Sequence, residues 1–172
     1  MKWKRNTVQI MIRGTLLAVL TSAVLLTGCS GPPVAPVVNA IAPDFSLATL
    51  NGETVSLHEL RGHQVLLTFW TTKCGWCRYQ MPFLQAAQKE RGDELKVVAV
   101  NVGESKQTLQ QFAADSNLSL IFAMDSTAEV AGTYNVRGIP HNVVIDEQGI
   151  IRYVRPGAFF STEELLTILD NL

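Results

Sequence analysis

An α/β fold with a mixed β-sheet and helices on both faces is predicted by three features of the sequence. Strand-like and helical segments alternate along most of the chain, the alternation gives way to two strands joined by a tight turn, and a final helix follows. Strands separated by helices pair in parallel, a hairpin pairs antiparallel, and a sheet holding both is mixed. A short hairpin ahead of these elements adds an N-terminal extension.

Taken in order, Asn51-Gly52 is a two-residue turn signal between Phe45–Leu50 and Thr54–Leu57. A turn over Leu57–Leu60 stops at Gly62 and leads into Val65–Trp70, whose apolar run reads as a buried strand. From Gly75 the spacing is helical, with Met81, Leu84 and Ala87 on one side, and basic residues before Gly92 mark the helix end near Arg91. Leu95–Val102 reads as a second buried strand. Ser105–Ser116 follows as an amphipathic helix carrying Leu109, Phe112 and Ala113, and Leu120–Met124 as a short third strand. Ser126 with Glu129 is a capping-box pattern for a helix reaching Tyr134. Val143–Ile145 and Ile150–Val154 are strands joined by the turn Asp146-Glu147-Gln148-Gly149, and a second capping box, Ser161 with Glu164, opens the last helix.

Ahead of this domain, Lys2, Lys4, Arg5 and Arg13 precede an apolar stretch from Thr15 to Leu26. That stretch is shorter than the roughly 20 residues needed to cross a bilayer. It ends in Leu26-Thr27-Gly28-Cys29, which resembles the lipobox of a bacterial lipoprotein signal peptide. The resemblance implies cleavage before Cys29, diacylglycerol on its thiol, and an extracytoplasmic domain held to a membrane by that lipid; an uncleaved signal anchor is the alternative. The expected organisation is a signal peptide over 1–28, a lipidated cysteine with a Pro-rich, extended spacer over 29–41, and the α/β domain over 42–172. The full chain of 172 residues carries 14 basic and 15 acidic residues, and loss of 1–28 removes four of the basic ones, leaving 10 against 15. A charge balance of this sign suggests no nucleic-acid surface.

With Cys29 assigned to lipid, Cys74 and Cys77 are the thiols left over, in Cys74-Gly75-Trp76-Cys77. As a structural staple the pair is poorly placed: a four-residue ring is worth only about 2 kcal/mol of chain entropy, against about 3 kcal/mol for a 15-residue loop. As a redox pair it is well placed. Cys74 stands where the strand hands over to the helix, and a helix N-terminus lowers a thiol's pKa through its free N–H groups and dipole. Cys77 follows one turn later on the same face, where it can resolve a mixed disulfide. Lys73 and Arg78 add positive charge nearby.

Several features together resemble the thioredoxin superfamily, and within it the membrane-tethered TlpA/ResA-like, AhpC/TSA-related thiol-disulfide oxidoreductases. They are Ala42-Pro43-Asp44-Phe45, Trp70 ahead of the Cys74-Gly75-Trp76-Cys77 motif, Met81-Pro82 in the first helix, and Gly138-Ile139-Pro140 before the fourth core strand. The resemblance implies a thioredoxin fold and an extracytoplasmic enzyme in which Cys74 attacks and Cys77 resolves. It also implies a cis Pro140 against the disulfide, with Ile139 backbone and Trp76 meeting the substrate chain. Trp70 would join Trp76 in an apolar collar, whereas His58 and His63 read as surface residues.

Two positions depart from the family: Thr68 stands where a buried aspartate is usual, and Gln80 where ResA-like proteins place a glutamate. His141 follows Pro140 where threonine is common. Lys73, Gln80 and His141 are therefore candidate modulators of the thiols. No cofactor or metal is expected. The implied work is reduction of disulfides in exported proteins such as apo-cytochrome c, by a monomer drawing electrons from a membrane donor of the CcdA/DsbD type. The alternatives are disulfide formation, or a Sco-like copper chaperone in which Cys74, Cys77 and His141 hold Cu(I).

Overall fold

The computed structural model describes residues 32–172, so Cys29 and the expected signal peptide lie outside the described residues. The central strand is β3 (Gln64–Trp70), the second of the core strands is β4 (Leu95–Val102), and β5 (Ile121–Asp125), β6 (His141–Ile145) and β7 (Ile151–Pro156) complete a sheet ordered β5-β4-β3-β6-β7. β3, β4 and β5 run parallel, and β6 and β7 are antiparallel, which is the predicted mixed sheet. Ahead of it, β1 (Ser46–Ala48) and β2 (Thr54–Ser56) form the predicted hairpin, with Gly52 supplying the positive φ of 89° at its turn.

Period-two alternation in β3 divides the interior into two cores. Leu66 and Trp70 face the helices α1 (Gly75–Arg91), α2 (Lys106–Asp115) and α4 (Thr162–Asp170), packing with Met81, Leu84, Leu109 and Leu165. Val65, Leu67 and Phe69 face the other way, against α3 (Glu129–Thr133), the residues following it and the N-terminal extension, where Phe45, Leu57, Ala131 and Tyr134 are buried. Burial raises the pKa of the Tyr134 hydroxyl well above the usual phenol range, and the O–H donates to the Pro43 carbonyl at 2.6 Å. Among the described residues no helix is long and apolar enough to cross a membrane.

Two local expectations differ. The Ser126/Glu129 capping box does not form: Ala128 takes a left-handed conformation (φ 58°) at the start of α3, and Asp125 caps the helix instead, accepting from the N–H groups of Val130 at 3.3 Å and Ala131 at 2.8 Å. The Ser161/Glu164 pattern does cap α4: Ser161 Oγ accepts from Glu164 N–H at 3.1 Å, while the Glu164 carboxylate reaches Phe160 N–H at 2.8 Å.

The proline-rich stretch also behaves differently from an extended spacer. From Pro33 the chain turns back on itself, and Asn39, Ala40 and Ala42 join the β7 edge through Asn39 N–H to Ile151 O (2.8 Å), Ile151 N–H to Ala40 O (2.9 Å) and Ala42 N–H to Gly149 O (2.9 Å). Ala40 and Ala42 are buried there. At the opposite edge Leu50 N–H donates to Phe122 O on β5 at 3.1 Å. One N-terminal extension therefore covers both edges of the sheet, the positions where an unpaired strand would otherwise recruit another chain.

Asp125 is wholly buried, and its removal leaves two helix N–H groups without partners. Asp125→Ala is expected to cost about 2 kcal/mol of stability, and Ser126→Ala less than about 0.5 kcal/mol, both read from urea denaturation midpoints.

Candidate active site

The strand β3 ends at Trp70, and Thr71 to Lys73 bring the chain to Cys74, which is the N-cap of α1 with extended backbone (φ −79°, ψ 109°). Cys74 N–H donates to Thr71 O at 3.2 Å, closing the turn, and the Cys74 sulfur accepts from Cys77 N–H at 3.1 Å. The sulfur thus occupies the place that a serine or aspartate oxygen fills in an ordinary helix cap, where free N–H groups favour negative charge. Cys74 and Cys77 are joined as a disulfide with Cα atoms 5.2 Å apart. Cys77 is wholly buried, whereas Cys74 is only partly so, and an incoming partner meets the Cys74 side first.

The loop before β6 closes over this sulfur. The Ile139–Pro140 peptide bond is cis, and the Ile139 carbonyl oxygen lies 3.8 Å from Cys74 Sγ. Trp76, between the two cysteines, is 61% exposed. Trp70 is not part of a collar with it: its ring is buried between Phe112 and Phe122 in the core.

Beneath the disulfide the two departures from the family pattern meet. Gln80 is fully buried on α1, and its Nε2 donates to Thr68 Oγ1 at 2.8 Å and to Asn142 Oδ1 at 3.1 Å. Its Oε1 accepts from Asn142 Nδ2 at 3.2 Å and from Phe159 N–H at 3.1 Å, and the second Asn142 N–H reaches Gly157 O at 2.8 Å. Both N–H groups and both lone-pair directions of the Gln80 amide are used, so a polar group that is costly to bury alone is fully compensated. Asn142 was not a sequence candidate. The signal for it lies in the register, which sets Asn142 directly opposite Thr68.

A second polar group holds the loop from the side. Glu104, just past the end of β4, accepts from Thr72 N–H, Thr72 Oγ1 and Asn101 Nδ2, each at 2.7 Å. Burial opposes its charge, but the hydrogen bonds from Asn101 and Thr72, together with the positive charge of Lys73, outweigh it and hold its carboxyl below the usual glutamate pKa. Glu104 too was missed, and its proximity to the motif is visible only once β4 is aligned beside β3.

The other sequence candidates separate. Lys73 and Arg78 are exposed on either side of the motif. His141 pairs with Phe69 in register and packs edge-on against that ring at 6.1 Å, on the sheet face opposite Gln80. Burial pushes its pKa down, favouring the neutral imidazole. Among the described residues no cluster of three or more His, Cys, Asp or Glu side chains is arranged to hold a metal ion. His58 and His63 lie at the surface, bonded to Asp44 at 3.1 Å and to Asp93 O at 2.8 Å.

Comparison with known proteins agrees with this geometry. Residues 38–154 match the AhpC/TSA family. The chain is 39% identical to the thioredoxin-like protein YneN of Bacillus subtilis (strain 168) over 125 residues, covering 71% of this chain and 73% of that protein. It is 33% identical to the thiol-disulfide oxidoreductase ResA of Geobacillus kaustophilus over 170 residues, covering 95% of this chain and 96% of ResA. Among solved structures, the exposed lipoprotein thioredoxin of Streptococcus pneumoniae superposes with a TM-score of 0.69 at 27% identity, over 76% of this chain and all (100%) of that one.

Removing the Glu104 carboxylate frees the loop that presents Cys74. Glu104→Ala is expected to lower stability by about 1 kcal/mol at pH 7, by loss of partly exposed charge-assisted hydrogen bonds. Because the folded carboxyl has the lower pKa, this contribution is present above the unfolded glutamate pKa and disappears as pH falls through the folded one. Denaturation curves of the two proteins should therefore converge in acid; a gap that persists there would show that the carboxylate charge is not what holds the loop.

Proposed function

We propose, from the premise that this chain belongs to the AhpC/TSA family as a thiol-disulfide oxidoreductase of the ResA type, that it reduces disulfides in exported proteins such as apo-cytochrome c. The carrying observation is the asymmetry of the two sulfurs: Cys74 capping a helix at the surface, Cys77 wholly buried one turn behind it. In the reduced protein the Cys74 thiolate attacks one sulfur of the partner's disulfide, forming a mixed disulfide and releasing the partner's second sulfur as a thiolate. Cys77 then attacks Cys74 Sγ, the Cys74–Cys77 bond forms, and the partner leaves as a dithiol. Two electrons pass to the partner in each cycle, and its two sulfurs are protonated with the one proton that Cys77 gives up and one from solvent.

Among the described residues no carboxylate joins the polar group beneath Cys77 to accept its proton. Thr68, Gln80 and Asn142 are neutral and already paired with one another, so the proton passes to the departing partner sulfur or to water. Ile139 backbone and the Trp76 ring hold the partner chain beside Cys74, a role supported by the 3.8 Å approach of Ile139 O to the sulfur. Pro140 sets that approach.

As a reductant outside the cytoplasm the protein is recharged by a membrane dithiol donor of the CcdA/DsbD type. Diacylglycerol on Cys29 keeps it at that membrane, working as a monomer. The Leu26-Thr27-Gly28-Cys29 sequence and the description of the Streptococcus pneumoniae relative as an exposed lipoprotein support the anchor.

The reduction potential of the Cys74/Cys77 pair, equilibrated against dithiothreitol or glutathione buffers, decides the direction. A value near the roughly −270 mV of thioredoxin or lower is expected, and one near the roughly −120 mV of DsbA would reverse the reading to disulfide formation. Cys77→Ser should accumulate a mixed disulfide through Cys74 with an oxidised protein partner. Failure to trap one under conditions where the unmodified protein turns over would remove Cys74 as the attacking group.

A further inference from the structure

One group of exposed apolar side chains stands away from the disulfide. Val34, Val37 and Val38 are exposed by 66, 54 and 47%, and from Ser30 to Pro43 the chain carries no charged residue. A turn open to water has no need of valines, and covering them is favourable. The turn is nonetheless fixed. Ala35 N–H donates to Ile41 O at 3.0 Å, Ile41 N–H to Pro33 O at 2.8 Å and Ala40 N–H to Val37 O at 3.1 Å, while the Asn39 side chain accepts from Arg152 Nη1 at 3.2 Å. Side chains presented by a fixed backbone lose little freedom when they are covered.

The length of chain ahead of the turn says what covers it. Cys29 precedes Pro33 by four residues, and four residues fully extended reach about 14 Å at most. The headgroup layer on one side of a bilayer takes up roughly 5–8 Å of that reach, so diacylglycerol on Cys29 leaves the turn within about 10 Å of the lipid surface. After loss of 1–28 the chain carries 10 basic against 15 acidic residues, and an acidic surface is not drawn to anionic lipid. The uncharged, apolar turn is free of that penalty.

The sulfurs lie at the other end of the sheet. The turn is bonded beside the β6–β7 connection, through Asn39 N–H to Ile151 O and Ala42 N–H to Gly149 O. That connection stands at the start of β3, where Ile145 pairs with Val65, whereas Cys74 follows the far end of the same strand. Seven residues of strand are roughly 20 Å long. We infer that Val34, Val37 and Val38 form a membrane-contact surface, seated in the bilayer interface next to the lipid on Cys29, which stands the domain on the membrane with Cys74 facing away from it. The inference rests on the lipid anchor proposed above and adds an orientation to it: the attacking sulfur is offered to chains in the water beyond the membrane surface.

The test uses the processed, lipidated chain in phosphatidylcholine–phosphatidylglycerol vesicles, with or without bromine on the upper part of the acyl chains, since bromine quenches nearby indoles. Val37→Trp places an indole at the turn, and Trp76, exposed at the sulfur end, is the internal control. The emission added by Val37→Trp is expected to fall about twofold in brominated vesicles, because apolar groups seated in the interface lie roughly 5–10 Å deep. Emission of the protein without that substitution should not change, and Val34→Ser with Val38→Ser in the Val37→Trp background should restore most of the lost signal. An added indole quenched by aqueous acrylamide and not by brominated lipid would overturn the membrane contact. One quenched by neither would overturn it too, in favour of a protein cover, and quenching of Trp76 by brominated lipid would overturn the orientation. Vesicle flotation and the mass of the N-terminal peptide report on the anchor separately: protein that does not float, or that carries no diacylglycerol on Cys29, removes the anchor and the inference with it.

Discussion

Four parts of the fold are registered against one side-chain amide. Gln80 on α1 bonds to Thr68 on β3, to Asn142 on β6 and to the backbone of Phe159 before α4, while Asn142 carries the link on to Gly157. These bonds are made where no water competes, so losing any of them leaves a buried donor or acceptor at about 1–3 kcal/mol. The spatial relation between the disulfide, the cis-Pro140 loop and the α4 end of the molecule is set by this network. Without it the apolar cores would still form, but the helix carrying Cys77 would lack its register against the strand carrying Pro140.

The amide also decides where charge can act. The side chains that meet beneath Cys77 among the described residues, Gln80, Thr68 and Asn142, are neutral, and His141, a candidate by sequence, lies on the Phe69 side of the sheet with its charge disfavoured by burial. The polar and charged groups around Cys74 lie at the rim: the Cys77 N–H that donates to its sulfur, the exposed Lys73 and Arg78, and the Glu104 carboxylate, which accepts from Thr72 and lies within reach of the Lys73 charge. Charges placed at the rim are screened by salt more than buried ones are.

What could be read from the sequence was what nearest neighbours encode. Apolar periodicity reports which face of a segment is buried, and it located β3, β4, α1 and the final hairpin; the handover from the β3 run to the helical spacing that begins at Gly75 put Cys74 at a helix start. Interactions between distant residues were illegible for the same reason. Nothing near Glu104 announces Thr72, and nothing near Asn142 announces Gln80, because each pair is created by strand alignment. His141 and Asn142 are adjacent, yet register sends them to opposite faces. Local patterns also misled where two of them competed. Ser126 and Glu129 have capping-box spacing, but the left-handed turn at Ala128 brings the buried Asp125 to the helix end. The prolines after Ser30 suggested a spacer, while Ala40 and Ala42, small enough to pack closely at the β7 edge, carry the opposite instruction.

The N-terminal extension has a consequence for the order of assembly. Its partners are among the late parts of the chain: Leu50 waits for Phe122, and Asn39 and Ala40 wait for Ile151. A polypeptide emerging from its N-terminus cannot close either sheet edge until those strands have been delivered, and long-range pairings of this kind are slow to form. Cys74 and Cys77 emerge well before that closure, with Gln80 still without Asn142 or Phe159. The nascent thiols thus pass through an interval without the surroundings of the folded site, which is complete only when the last strand arrives.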